Sequence, residues 1–153
     1  CKTVAMRKSG ARVLFSCAIV ILFLDIITKV LVRSLLPEGA SIPLFPFFTI
    51  THLQNTGIAF GLLQFGVLRW VLVLVALGVA AAIMWSCKHN KLREHFVAWG
   101  LILGGAVGNA IDRVFVGTGT DFVSVGWWPA FNIADSALTV GVILLIWHAL
   151  RKE

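Results

Sequence analysis

Three aspartates, Asp112, Asp121 and Asp135, lie within 24 residues near the end of a chain that is otherwise strongly apolar. An ionised carboxylate costs roughly 2.5–3.5 kcal/mol at the centre of a membrane helix, so such residues usually line a polar cavity with a function. Two carboxylates held close together cannot both ionise at low cost, so one keeps its proton while the other acts as a base. Such a pair can hydrolyse an amide bond, because it activates water and protonates the carbonyl oxygen.

Two of the aspartates occur in the same local pattern. Asn109-Ala-Ile-Asp112 and Asn132-Ile-Ala-Asp135 both read N-x-x-D, which on a helix places the amide and the acid on one face about one turn apart. The repeated pattern predicts that they belong to one intramembrane site. Spacing alone does not say which two of the three aspartates form the reactive pair.

Three further charged residues lie in apolar parts of the chain. Asp25 and Lys29 are four residues apart, so on a helix they face the same side and can form an ion pair that braces the site. Arg113 follows Asp112 directly and therefore points to another side of the helix. We expect it to bind a different acid, a phosphate headgroup or backbone carbonyls of an outer loop.

Other functions are compatible with buried acids. An ion-coupled transporter or a proton relay needs them equally, although no inverted repeat is evident in the sequence. Three acids with an asparagine could also hold a hard cation, but no H-E-x-x-H or C-x-x-C motif is present. An inert scaffold of the same topology is a third alternative, disfavoured because it has no use for three clustered acids.

The elements that must position these residues are membrane spans. The chain has 153 residues, of which 59% are hydrophobic and 13% charged, a composition typical of an integral membrane protein. We predict an all-α membrane protein with one membrane domain covering residues 1–153. Each of four apolar segments is long enough to cross a hydrocarbon core about 30 Å thick. They are 13–36, 65–87, 96–116 and 131–150.

Basic residues predict the orientation of these spans. They precede the first segment, join the second to the third and follow the fourth, so both termini are expected in the cytoplasm. The net charge of +6 is then explained by topology and does not indicate a nucleic-acid surface. With this orientation, segments 37–64 and 117–130 are expected on the outer side of the membrane. Prolines and β-branched residues in 41–53 predict an extended, β-like cradle. Residues 55–65 are compatible with a short surface-lying helix over the acids or with an ordinary re-entrant connector, and periodicity does not distinguish the two.

Five short motifs follow one another from the first apolar segment to the fourth. They are Asp25-Ile-Ile-Thr-Lys29, Asn55-Thr-Gly-Ile-Ala-Phe60, Gly104-Gly-Ala-Val-Gly-Asn109-Ala-Ile-Asp112-Arg113, Thr120-Asp121-Phe122 and Phe131-Asn132-Ile-Ala-Asp135. In this order they resemble the motifs of the bacterial lipoprotein signal peptidases, the type II signal peptidases. Each motif alone is a weak signal, whereas five in order within a four-span frame are specific.

The resemblance implies an intramembrane aspartyl endopeptidase that removes the signal peptide of prolipoproteins. It would cut on the amino side of a diacylglyceryl-modified cysteine, in the bacterial cytoplasmic membrane, with the active site near the outer leaflet. The implied partners are lipid-modified prolipoproteins, membrane phospholipid and inhibitors of the globomycin type. No metal or other cofactor is expected, and the protein is expected to act as a monomer.

The resemblance also implies roles for individual residues. The catalytic pair would be Asp121 and Asp135. The residues that support the site would be Asn109, Asp112, Arg113, Asn132, Asp25 and Lys29. The residues that contact substrate or inhibitor would be Asn55, Gly57, Ala59, Gly105 and Gly108.

Overall fold

The computed structural model describes residues 2–56, 65–89, 92 and 95–151. Within these ranges the chain forms four helices and four strands. In chain order they are α1 (Lys2–Leu35), β1 (Ser41–Phe45), β2 (Phe48–Asn55), α2 (Phe65–Lys88), α3 (Phe96–Phe115), β3 (Gly119–Val125), β4 (Trp128–Phe131) and α4 (Ile133–Leu150). Each of the four apolar segments in the sequence therefore corresponds to a helix.

Three of the described helices are long and apolar enough to cross a membrane. They contain the stretches Ser9–Leu35 in α1, Gly66–Lys88 in α2 and Ile133–Leu150 in α4. The remaining helix, α3, has 20 residues and so a length of about 30 Å at 1.5 Å per residue. Its polar residues Asn109, Asp112 and Arg113 lower its hydropathy. All three belong to the site predicted from the sequence.

The distribution of side chains is that of a protein surrounded by lipid. Large apolar residues point outward, and Leu74 of α2 and Leu150 of α4 are both about two-thirds exposed, at 67% and 68%. Two charged residues in the middle of α1, Asp25 and Lys29, are instead buried between the helices. Only an apolar solvent makes this arrangement favourable, so the helices lie in a membrane.

Helix α3 lies at the centre of the bundle. Eleven of its twenty residues are buried, compared with three of eighteen in α4. Glycines allow the close approach of its neighbours: a Cβ on Gly104 would lie 2.7 Å from the Ala18 carbonyl oxygen of α1. On Gly105 it would lie 2.5 Å from the Ala134 carbonyl oxygen of α4. Small residues at such interfaces bring the backbones of membrane helices into contact.

The four strands form one antiparallel sheet in the order β1-β2-β3-β4. The extended segment predicted around 41–53 is confirmed as β1 and β2. The β3–β4 hairpin was not predicted, and it occupies most of the outer segment 117–130. The predicted surface-lying helix at 55–65 falls largely on residues 57–64, which lie outside the described ranges.

An irregularity in β2 determines which of its side chains share a face of the sheet with Asp121. In β2, Thr51 and His52 together lie opposite Phe122 of β3, so β2 has one extra residue at this point. Such a bulge redirects the side chains beyond it. Immediately beyond the bulge, Leu53 pairs with Asp121. Asp121 therefore shares a face of the sheet with Leu53 and with Asn55, which is two residues further along β2.

Candidate active site

Asp121 lies near the beginning of β3, where the sheet meets the helices. Asn55 follows Leu53 by two residues in β2 and therefore shares its face, and its Nδ2 donates to Asp121 Oδ2 at 2.9 Å. Asn132 Nδ2 donates to the other carboxylate oxygen, Oδ1, also at 2.9 Å. The carboxylate is buried, and each of its oxygens accepts a hydrogen bond from an asparagine.

The surroundings of Asp121 raise its pKa to about 6. Burial is the largest cause, since it disfavours the charged form, and the nearby charge of Asp135 acts in the same direction. The hydrogen bonds from Asn55 and Asn132 and the charge of Lys29 oppose the increase, because they favour the ionised form. Asp121 thus binds a proton far more readily than an exposed aspartate.

Asp135 lies in the first turn of α4, where it is half-buried. Asn109 Nδ2 of α3 donates to its Oδ1 at 2.7 Å, and the Asn132 backbone N–H donates to its Oδ2 at 3.2 Å. The Asn132 side chain accepts in turn from the Asp135 backbone N–H at 2.9 Å. These two reciprocal bonds form a capping box that begins the helix.

The second N-x-x-D pattern therefore differs from its prediction. Asn132 has an extended backbone and caps α4 from outside, whereas Asn109 and Asp112 lie inside α3 as predicted. The cause is β4, which extends to Phe131 and leaves only one residue before the helix. As a result, Asn132 can bond to Asp121 on one side and to Asp135 on the other.

Asp25 and Lys29 form the ion pair that their spacing predicts. Lys29 Nζ lies 2.8 Å from Asp25 Oδ2, and both residues are buried. Asp25 also contacts α4, the helix that carries Asp135, and Lys29 contacts Asn109 of α3, which binds Asp135. Asp25 Oδ1 accepts from the Ala134 backbone N–H at 2.8 Å, and Lys29 Nζ donates to Asn109 Oδ1 at 3.2 Å. The pair therefore joins α1 to both α3 and α4.

Asp112 is bound by cations and by backbone. Its Oδ1 accepts from Arg33 Nη1 at 2.7 Å, its Oδ2 accepts from the Thr120 backbone N–H at 2.6 Å, and Lys29 Nζ is 3.7 Å away. Arg113 donates to the Asn109 carbonyl at 3.1 Å. Among the described residues, Arg113 therefore binds a backbone carbonyl of its own helix, whereas carbonyls of an outer loop were one of the three partners expected from the sequence.

Two residues of the site were missed by sequence reasoning. Arg33 follows Asp25 and Lys29 at the same four-residue spacing, so the three residues form one row on α1, and that spacing could have revealed it. Thr120 was seen only as part of a motif. It is fully buried, and its carbonyl accepts from Asn132 Nδ2 at 3.3 Å.

The remaining predicted contact residues divide into two groups. Gly105 and Gly108 are buried in α3 at its interfaces with neighbouring helices, where a Cβ on Gly108 would lie 2.7 Å from Asp25 Oδ2. The geometry gives both glycines a packing role, and contact with a substrate or inhibitor stays a prediction. Gly57 and Ala59 lie outside the described residues.

Replacing Gly108 with alanine should lower both the melting temperature and the activity. The added Cβ displaces the buried Asp25 carboxylate, and overpacking of this kind costs about 1–3 kcal/mol. Gly78→Ala is the matched control, since a Cβ there meets nothing within 4 Å and alanine favours the helix. A Gly108→Ala protein with the same melting temperature as the wild type would contradict the close packing.

Metal ligation has no structural candidate in the described ranges. No group of three or more histidine, cysteine, aspartate or glutamate side chains is arranged there to hold a metal ion. What the site does offer is two carboxylates in a buried frame of asparagine amides. Such a frame can hold one carboxylate protonated beside an ionised one.

Solved structures show what class of protein has this fold. Two described as bacterial membrane enzymes superimpose with TM-scores of 0.79 and 0.81 and are 32% and 31% identical in sequence. The alignments cover 90% and 92% of this chain and 87% and 94% of the respective structures. The fold and the site therefore define a helical membrane enzyme.

The family follows from the sequence matches. Residues 17–151 match the family of signal peptidase (SPase) II, and the chain belongs to that family. It is similar to proteins named lipoprotein signal peptidase in Mycobacterium avium (43% identity, covering 88% of this chain and 77% of the relative) and Burkholderia mallei (40%, covering 99% and 96%). One from Dehalococcoides mccartyi is 46% identical, covering 80% and 79%. The resemblance of the five motifs is confirmed, and no similarity supports a transporter.

Proposed function

We propose that the protein is an aspartyl endopeptidase that cleaves prolipoproteins on the amino side of a diacylglyceryl-modified cysteine, with Asp121 and Asp135 as the catalytic pair. The observation that carries this proposal is their common partner. Asn132 donates to Asp121 and is joined to Asp135 by two reciprocal hydrogen bonds. Asp112 is bound instead by Arg33, Lys29 and the Thr120 backbone, which favours a supporting role.

The chemistry of the pair follows from its protonation. Asp121 is the more buried of the two, and its surroundings raise its pKa to about 6, so we assign the proton of the pair to Asp121. Asp135 takes a proton from a water molecule as the water oxygen attacks the scissile carbonyl carbon. Asp121 gives its proton to the carbonyl oxygen, so a neutral tetrahedral intermediate forms. Asp135 then gives its proton to the amide nitrogen while one hydroxyl of the intermediate returns a proton to Asp121, so the C–N bond breaks, the signal peptide leaves with a new carboxyl group, and both aspartates regain their starting states.

The position of the pair suits a lipid-modified substrate. Four spans with both termini in the cytoplasm would place the sheet and the aspartates at the outer leaflet of the cytoplasmic membrane. Exposed aromatic residues support this placement: Phe47, Trp127 and Trp128 lie at adjacent turns of the sheet and are 77%, 88% and 57% exposed. A diacylglyceryl group would hold the scissile bond at that level while the signal helix lies among the spans.

Cleavage of matched precursors tests the proposed substrate. The purified protein in lipid is given a prolipoprotein with and without its diacylglyceryl group, and the new amino terminus is identified by mass spectrometry. We expect cleavage of the lipidated form alone, immediately before the modified cysteine, and inhibition by globomycin. Equal cleavage of both forms would contradict lipid recognition, and no cleavage by a folded sample would contradict the peptidase.

The pH dependence of cleavage should report the shared proton. Above about pH 6 the free enzyme loses the proton of Asp121, so kcat/KM should fall by about tenfold for each further pH unit. Asn55→Ala removes a hydrogen bond that favours the ionised form, and it should therefore move this decline to higher pH. Measuring kcat/KM across the pH range for both proteins checks the sign. If kcat/KM declined at the same pH in Asn55→Ala as in the wild type, that result would contradict the assignment of this proton to Asp121.

A further inference from the structure

The guanidinium of Arg33 joins three elements of the site at one point. Arg33 lies one turn beyond Lys29 on α1, and its Nη1 donates to Asp112 Oδ1 of α3 at 2.7 Å and to Thr120 Oγ1 of β3 at 2.9 Å. Its side chain is 26% exposed, whereas that of Asp112 is 3% exposed. This cation therefore stabilises a carboxylate that is almost wholly removed from solvent.

Thr120 transmits this contact to Asp121, because the two residues are neighbours in β3. Thr120 is held at three polar atoms. Its backbone N–H donates to Asp112 Oδ2 at 2.6 Å, its hydroxyl oxygen accepts from Arg33, and its carbonyl accepts from Asn132 Nδ2. The residue before Asp121 is thus fixed from α1, α3 and the α4 cap together. A change in any one of these contacts moves the backbone that carries the Asp121 carboxylate.

We propose that Arg33 is a positioning residue for the peptidase reaction, which acts on Asp121 through Asp112 and Thr120 and touches neither the substrate nor the reacting atoms. This inference rests on the proposed function, since it takes Asp121 as a member of the catalytic pair. It adds to the row begun by Asp25 and Lys29. Along α1, successive turns contact the beginning of α4, then Asn109 of α3, and then Asp112 and the beginning of β3.

The other cation near Asp112 cannot replace Arg33. Lys29 Nζ already binds Asp25 and Asn109 and lies 3.7 Å from Asp112. Without Arg33, the buried Asp112 carboxylate would draw Lys29 away from Asn109 or would itself turn toward Lys29, and the Thr120 hydroxyl would lose the hydrogen bond that it accepts from Arg33. Either movement disturbs the alignment of the catalytic pair, and a misplacement of about 1 Å costs on the order of 100-fold in rate.

A mutant cycle on the full chain in lipid, assayed with the lipidated precursor, tests the role of Arg33. Arg33→Met should lower kcat on the order of 10–100-fold with KM unchanged, since substrate contacts are intact. Arg33→Lys should recover part of the loss, because it restores the charge but not the planar fork. Thr120→Val should lower kcat less, and the double variant Arg33→Met with Thr120→Val should be no slower than Arg33→Met alone.

Ser34→Ala is the matched control on the same helix. Ser34 is exposed, and its hydroxyl donates to the Val30 carbonyl of its own helix. The kcat of the Ser34→Ala protein should therefore equal that of the wild type. A folded Arg33→Met protein with wild-type kcat would overturn the proposal. So would a double variant whose loss of kcat equals the product of the two single-variant losses. If Arg33→Met does not fold, the same cycle with Arg33→Lys decides.

Asp121→Asn assayed in parallel separates the two levels of inference. Cleavage by that variant would overturn the catalytic pair, and with it the basis for a role of Arg33. Loss of cleavage in Asp121→Asn together with wild-type kcat in the Arg33 variants would overturn the positioning role alone.

Discussion

Asp121→Asn should lower the rate of cleavage by at least about 10³-fold, while the protein stays folded. An amide of nearly the same shape fills the position, but it neither donates the required proton nor becomes a base. Two amide donors, Asn55 and Asn132, face this side chain, so the variant loses one good hydrogen bond, a cost of about 0.5–1.5 kcal/mol that leaves the fold intact. Single-turnover cleavage, measured beside a thermal melt, checks both parts of this expectation.

Other carboxylates serve as comparisons for this result. Asp135→Asn should show an equal loss of activity. Asp112→Asn should lose activity only partly and mainly through stability, because its contacts are to Arg33, Lys29 and backbone. Glu38→Gln, an exposed position, should cleave at the wild-type rate. Turnover by a folded Asp121→Asn protein would contradict its catalytic role.

Lys29→Met should destabilise the protein by about 3–5 kcal/mol, the second large effect that the structure predicts. The change leaves Asp25 as a buried carboxylate with no cation in contact and removes the Asn109 contact as well. A buried lone charge is far costlier than a buried pair, because nothing replaces the lost solvation. A thermal melt in detergent should show a strongly lowered melting temperature, and cleavage should fall with it.

A double variant separates stability from catalysis. Asp25→Asn combined with Lys29→Met removes both charges, and the new amide can still accept from the Ala134 backbone N–H. Stability should therefore recover in large part, whereas cleavage should stay low, because Asn109 no longer has its cation. A melting temperature as low as that of Lys29→Met alone would show that burial of the unpaired charge is not the cause.

Much of the fold follows from the sequence, because lipid imposes a strong pattern. Each predicted apolar segment corresponds to a helix, since a span needs about 20 apolar residues. Prolines and β-branched residues similarly identified β1 and β2. The β3–β4 hairpin gave no such signal, because β3 pairs with β2, which lies far away in the chain, and β4 has only four residues.

The sequence predicted most residues of the site but not which two of its three aspartates form the reactive pair. Asp112 and Asp121 look equivalent in the sequence, and the difference lies in partners that are distant along the chain. Arg33, far upstream, binds Asp112, whereas Asn55 from the opposite strand binds Asp121. Only the tertiary structure brings these partners together, so the choice of catalytic pair came from the family resemblance.

The capping box of α4 links the chemistry of this enzyme to its mechanical stability. One carboxylate oxygen of Asp135 accepts the hydrogen bond that closes the box. In the proposed mechanism Asp135 takes a proton from water and becomes a weaker acceptor, so we expect the first turn of the helix to loosen once in every catalytic cycle. Faster chemistry and a more heat-resistant helix end thus make opposing demands on the same group. We expect directed evolution for thermal resistance to leave this helix end unchanged and to accumulate its gains elsewhere.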